Sequence, residues 1–280
     1  MTLRVLAPGP LATVQDQGRP GHAHLGVPRA GALDRPAAEL ANRLVGNPDD
    51  AAVVEATFGG LQVRIDRAGW CALTGAHAPA ALDGRALPHA QAFWAPAGAR
   101  LGLAAPPDGV RTYLALAGGI AVETVLGSRS TDVLAGVGPA PLRPGDVLPL
   151  GAPVTGPRPL DVALPPASGP LRLWPGPRAD WCVDPLARLC AQGYRVGEAS
   201  NRVGLRLEGP AVAWRRTGEL ASEGVVLGSV QVPPDGQPVI FLADHPTTGG
   251  YPVVAVLHAD DVARCAQLRP GAEVGFTPAR

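Results

Sequence analysis

Glycine and proline interrupt this chain too often for long helices to form. There are 36 glycines and 32 prolines in 280 residues. Proline removes a backbone donor, and glycine weakens the interior of helix and strand alike. Disordered chains share that richness, but here 46% of residues are hydrophobic and only 17% charged. That composition supplies a packed core, and the architecture open to it is many short strands joined by tight turns. Length allows two ordinary domains or one large one.

Runs of branched and aromatic residues between turn signals read as strands: Leu61–Ile65, Arg111–Ala117, Gly204–Glu208, Pro238–Ala243 and Pro252–Leu257. Asp83-Gly84 and Asp235-Gly236 predict tight hairpins, since glycine accepts positive φ. Three helices are expected: one after Asp34 that stops at Gly46, one after Asp184-Pro185 that stops at Gly193, and one from about Asp260 to before Pro270. Each start is signalled by an aspartate suited to capping. Residues 152–170 hold six prolines and little apolar period, which reads as a linker between residues 1–151 and 171–280. Leu142-Arg143-Pro144-Gly145 and Leu268-Arg269-Pro270-Gly271 each precede a short final strand, a pattern two related halves would leave.

Charge and cysteine usage exclude several function classes. The net charge is zero, so neither nucleic acid nor an anionic membrane is an expected partner. All 24 basic residues are arginine; a phosphate-binding lysine, a Schiff base and an attached biotin are therefore excluded on this chain. Cys71, Cys182, Cys190 and Cys265 have no zinc spacing and read as reduced, mostly buried thiols of a cytoplasmic protein. The opening residues do not read as a signal peptide, and no stretch is long enough for a membrane span. His22 and His24 read as solvated or locally bonded, with metal binding as the alternative; His77, His89 and His258 look isolated.

Chemistry concentrates in four polar clusters. The first is Gln15-Asp16-Gln17-Gly18-Arg19. The second is Gly127-Ser128-Arg129-Ser130-Thr131-Asp132, where hydroxyls and a guanidinium beside a glycine suit an anion, a capping turn being the alternative. The third is Ser200-Asn201-Arg202. The fourth joins Ser222-Glu223-Gly224 to Asp244-His245-Pro246-Thr247-Thr248-Gly249-Gly250-Tyr251. There, adjacent glycines free backbone N–H groups, Asp244 is a carboxylate, and His245 titrates near neutral pH.

These clusters, in this order, resemble the biotin-dependent carboxyltransferase-like family, which includes the KipA-type, allophanate hydrolase subunit 2-like component of 5-oxoprolinase. The resemblance rests on Thr13–Arg19, Gly31–Asp34 with Ala41–Asn47, Glu55–Thr57, Tyr113–Ile120, Val125–Thr131, Gly176–Arg178, Ser200–Gly204 and Ser222–Pro252. It implies a mainly β chain with a few short helices, forming two cyclophilin-like β-barrel domains. It also implies a cytoplasmic protein, active with a KipI-type (allophanate hydrolase subunit 1-like) and a LamB/YcsF-type partner, in an ATP-dependent opening of 5-oxoproline to glutamate. ATP with Mg2+ would act in that complex. Alternatives within the resemblance are carboxyl transfer in a urea carboxylase-type system and antagonism of a histidine-kinase inhibitor. On this reading Glu223, Asp244 and His245 are the catalytic candidates. Gln15, Asp16, Arg19, Arg129, Ser130, Asn201, Arg202, Thr247, Thr248, Gly249, Gly250 and Tyr251 are expected to bind substrate or phosphate, with no metal ligand assigned.

Overall fold

The computed structural model describes residues 2–153, 156, 157 and 168–279, and the chain is mainly β, as expected. The described residues form two compact units: 2–19 with those from 30 to 157, and 20–29 with those from 168 to 279. The stretch expected as a linker, 152–170, lies mostly outside the described residues.

In the first unit a six-stranded sheet runs Val147–Pro149, Thr2–Pro8, Leu61–Ile65, Ala99–Leu103, Ala80–Leu82, Arg85–Ala86. A five-stranded sheet runs Leu11–Gln15, Val53–Thr57, Arg111–Leu116, Gly69–Gly75, Ala92–Ala95. Alternate residues of both, among them Leu3, Val5, Val14, Val63, Leu73, Leu101 and Leu114, meet in one apolar core. The chain passes from sheet to sheet at corners only glycine can turn. Gly59 has φ +71°, and a Cβ there would sit 2.0 Å from the Ala104 carbonyl oxygen. The Asp83-Gly84 hairpin forms as expected, both residues having positive φ between paired Leu82 and Arg85. Asp235-Gly236 instead closes a Pro233–Gly236 turn inside a longer connection, because the nearest strand pair is Gln231 with Val239.

In the second unit eight strands make one sheet: Glu273–Val274, Tyr194–Val196, Gly204–Glu208, Val239–Phe241, Ser229–Gln231, Val253–Leu257, Leu171–Pro175, Phe276–Pro278. Its two outer strands are separated in sequence only by Gly275, so the sheet curls into a nearly closed barrel with its seam there. Leu171–Pro175 pairs in parallel with Phe276–Pro278, the one parallel pair among the described strands. The two Leu-Arg-Pro-Gly segments adopt the same turn. Asp146 N–H donates to the Arg143 carbonyl and Ala272 N–H to the Arg269 carbonyl, with Gly145 and Gly271 at positive φ.

The three helices are Arg35–Leu44, Pro185–Ala191 and Ala259–Cys265. Only the first is capped as expected, Asp34 accepting from Ala37 N–H at 3.2 Å. Asp184 takes a left-handed conformation, makes no cap bond, and faces Arg215 at 3.8 Å. At the third helix the His258 ring accepts from Asp260 N–H, and Asp261 turns inward. Asp261 is 1% exposed, bonded by the Arg172 backbone and side chain at 2.8–3.1 Å and by Arg264 at 3.2 Å. Burial acts to raise its pKa, but those bonds outweigh it and hold the carboxyl at about 2. A folded value below the ordinary one means its stabilisation is complete above about pH 5 and is lost as pH falls through about 2. Asp261→Asn is therefore expected to cost about 2 kcal/mol at pH 7. Denaturant unfolding at pH 7 and near pH 2 should show that cost shrinking in acid.

Two other expectations change. His77 and His89 are not isolated: their rings lie 4.7 Å apart at 34°, and burial, then the His77 charge, lowers the His89 pKa. His258 stacks against Trp174. Cys71 and Cys265 are buried thiols pushed up to about 12 by desolvation, which suits structural rather than reactive cysteines. Among the described residues no helix is long and apolar enough to cross a membrane.

Candidate functional site

Each unit carries its own polar cluster. In the first, Leu11–Gln15 ends at Asp16, and the Asp16 carboxylate ties that strand end to the 128–130 loop. It accepts from Gly18 N–H at 2.8 Å, Ser128 Oγ at 2.5 Å, Arg129 N–H at 2.5 Å and Ser130 Oγ at 2.6 Å. Ser130 Oγ in turn accepts from Asp16 N–H at 2.9 Å. The first two sequence clusters are thus one structural knot. Such reciprocal bonding fixes a loop backbone better than any single contact.

Arg19 is 1% exposed and donates to the carbonyls of Val125 and Ser130. Gly138, at φ +89°, is what lets the following loop close over it: a Cβ there would be 2.1 Å from the Ser130 carbonyl oxygen and 2.8 Å from the Arg19 guanidinium. Arg19 is an internal clamp, and the anion-binding role expected of it goes uncarried in this geometry. Arg129 differs. Its Nε donates to the Val122 carbonyl at 2.8 Å, and among the described residues no carboxylate pairs with its side chain. Its backbone is pinned by Asp16 while its terminal nitrogens stay uncommitted, the arrangement a planar anion needs. Gln15 is buried, its Nε2 donating to Thr13 Oγ1 and the Thr131 carbonyl at 3.0 Å each.

Glu55 belongs to a matching stretch of the sequence but carries no expected site role. It is 1% exposed; its Oε2 accepts from Tyr113 Oη at 2.8 Å and Leu33 N–H at 3.1 Å, and its Oε1 lies 3.5 Å from Arg111. Burial and the neighbouring carboxylates push the Tyr113 phenol well up, so it acts as a donor and not as a base.

In the second unit the structure brings the last two sequence clusters together through one ion pair. Arg202 and Asp244 are 1% and 0% exposed, and two parallel bonds join them, Nε to Oδ2 and Nη2 to Oδ1, each 2.9 Å. Asp244 N–H also donates to the Arg202 carbonyl. Asn201 caps this turn, its Oδ1 accepting from Val203 and Gly204 N–H. Neither member of a pair so enclosed reaches a substrate directly. The anion-binding and catalytic roles expected of Arg202 and Asp244 become a positioning role, because each charge is spent on the other.

Asp244 sets the start of the loop that follows. His245 is buried, stacked on Phe241 at 5.9 Å, and its Nδ1 lies 2.6 Å from the Pro246 carbonyl, so Nδ1 carries the proton. Thr248–Gly249 then pairs with Glu223–Gly224, Glu223 opposite Gly249, so the two halves of the fourth cluster do meet. Gln231 Nε2 donates to the Tyr251 carbonyl at 2.9 Å, holding the loop's far end and leaving the Tyr251 ring half-exposed. Val225 N–H donates to the Thr247 carbonyl, and Gly250 lies exposed in the same bend.

Glu223 is held by Arg178 through bonds of 2.7–3.1 Å. Sequence reasoning misses Arg178 as a site residue; Gly176-Pro177-Arg178 is visible as a motif, but without its partner. The pair is part-exposed, so it can exchange internal bonding for a ligand at modest cost. Among the described residues no group of three or more His, Cys, Asp or Glu could hold a metal ion.

Fold and clusters together are those of a carboxyltransferase-type domain, and known proteins agree. The chain matches the family described as carboxyltransferase domain, subdomain A and B, over residues 25–278, and it belongs to that family. It is 38% identical over 279 residues to the C component of the Escherichia coli K12 5-oxoprolinase, covering 98% of this chain and 90% of that one. The solved structure of TTHA0988 superposes with a TM-score of 0.89 at 41% identity, covering 99% of this chain and 55% of that chain. The urea amidolyase of K. lactis superposes with a TM-score of 0.91 at 28% identity, with 100% of this chain on 19% of that chain. The chain thus spans about half of one solved relative and a small part of the other.

Proposed function

We propose that this chain is the carboxyltransferase-like subunit of an ATP-dependent 5-oxoprolinase, acting in the cytoplasm with KipI-type and LamB/YcsF-type partners. The observation that carries the reading is the near full-length similarity to a component of the Escherichia coli 5-oxoprolinase. The pinned Arg129, with uncommitted guanidinium nitrogens, supports it from the geometry.

Opening the 5-oxoproline lactam breaks a resonance-stabilised amide. ATP would transfer its terminal phosphoryl group to the lactam oxygen, releasing ADP. Water would then add to the activated carbon, cleavage of the ring C–N bond would free the amine and leave a glutamyl phosphate, and a second water would release phosphate and leave glutamate. Such transfers depend on positioning and charge neutralisation. Arg129 binds the substrate carboxylate or the phosphoryl oxygens. In the second unit, taken by itself, Glu223, steadied by Arg178, is the candidate for handling a proton, and His245, Thr247, Thr248, Gly249, Gly250 and Tyr251 make up the loop that pairs with it. Asp16, Ser130 and Gln15 hold Arg129 in place, as Asn201, Arg202 and Asp244 hold the His245 loop. The donor set offers no dedicated metal cage, so no step through Mg2+ is assigned to these residues.

The test is glutamate release from 5-oxoproline by this chain reconstituted with its two partner subunits, with and without ATP. ATP-dependent release that vanishes when this chain is omitted is the expected result; none from an assembled complex overturns the reading. The urea amidolyase superposition favours carboxyl transfer from carboxybiotin as the second reading. A biotinylated protein co-purifying with this chain would support it.

A further inference from the structure

Beside the Asp16 knot, Gln15 Oε1, Thr131 Oγ1 and Asp132 Oδ2 are buried oxygens with no hydrogen-bond partner among the described residues, as is Gln17 Oε1. Gln15, Thr131 and Asp132 are 0%, 1% and 2% exposed. A buried acceptor without a donor costs about 1–3 kcal/mol, and an uncompensated carboxylate more. Two on consecutive residues and a third on a side chain bonded to one of them are unlike chance leftovers of packing.

Bonding ties Gln15 to the other two. Thr131 and Asp132 are neighbours, Thr131 N–H donates to the Val14 carbonyl, and the Gln15 carboxamide donates to the Thr131 carbonyl. That last bond settles which way the amide faces. Only the NH2 end can meet a carbonyl, so the oxygen end is the one left bare. Asp132 uses Oδ1 on the N–H groups of Leu134 and Ala135, both at 2.9 Å. Among the described residues no arginine or histidine pairs with its charge.

We infer that Gln15, Thr131 and Asp132 form a site for a monovalent cation, an alkali ion or ammonium. The donor set is one amide oxygen, one hydroxyl and a single carboxylate. Hard oxygen ligands suit such ions, and one negative charge balances one positive charge. A divalent ion would ask for more carboxylates than the one present. A bound cation would also brace the 128–132 loop on which Arg129 sits. The inference does not depend on the lactam reading, since its readout is stability.

The experiment is thermal unfolding of the full chain in KCl, NaCl or NH4Cl against N-methylglucamine chloride at equal ionic strength. A saturable rise in Tm with at least one of the three cations is expected, following mass action for a ligand of the folded state. Asp132→Asn, which keeps the shape and removes the charge, should abolish that rise. If Asp132→Asn does not fold, Thr131→Val should shift the midpoint of the cation titration by about tenfold or more. Equal Tm in all four salts, an undiminished rise in Asp132→Asn, or an unmoved midpoint in Thr131→Val overturns the site and leaves the oxygens to buried water.

Discussion

Replacing Asp244 by alanine is expected to destabilise the second unit by about 3–5 kcal/mol, because it removes the buried carboxylate that holds the Arg202 guanidinium through two bonds. The bonds lost are two parallel contacts of 2.9 Å between fully enclosed groups. Arg202→Ala should cost a similar amount, and the double variant less than the two single costs together. Urea unfolding of the three variants measures this directly. Near-additive losses, or a single variant costing under about 1 kcal/mol, would show that the pair is not the anchor of the 244–251 loop.

The second large effect is functional. Arg129→Ala should lower ATP-dependent glutamate release by the assembled complex by about 10²–10³-fold, while unfolding and partner binding stay as in the parent chain. The side chain is tied to the fold through its Nε bond to the Val122 carbonyl, so its removal leaves little unpaired. Arg129→Lys keeps the charge and loses the planar fork; recovery of most activity in it would mean a point charge suffices. Full activity in Arg129→Ala would remove this residue from the mechanism.

These two residues show what the sequence discloses and where it stops. Short strands can be read from runs such as Leu61–Ile65 because local propensity and turn residues agree there. The helix after Asp34 is legible for the same reason. The four polar clusters are legible as clusters, and the structure does join them in pairs. What cannot be read is the spending of each side chain. Arg19, Arg129 and Arg202 look alike in a sequence, and only tertiary placement buries two and leaves the third with open donors. Arg178 needs a partner 45 residues away to be noticed. The bare oxygens of Gln15, Thr131 and Asp132 are invisible without burial, since an exposed acceptor is satisfied by water.

The parallel pairing in the second barrel sets an order of events during synthesis. Leu171–Pro175 has its parallel neighbour in Phe276–Pro278, about a hundred residues later. Its other neighbour, Val253–Leu257, is also made late, so while the ribosome is working through the strands between, both sides of that first strand are unsealed, and pairing across so long a loop is slow. The barrel therefore cannot lock until residues 276–278 have emerged. Until then its early edge is the place where a chaperone, or a second nascent copy, would find an open backbone.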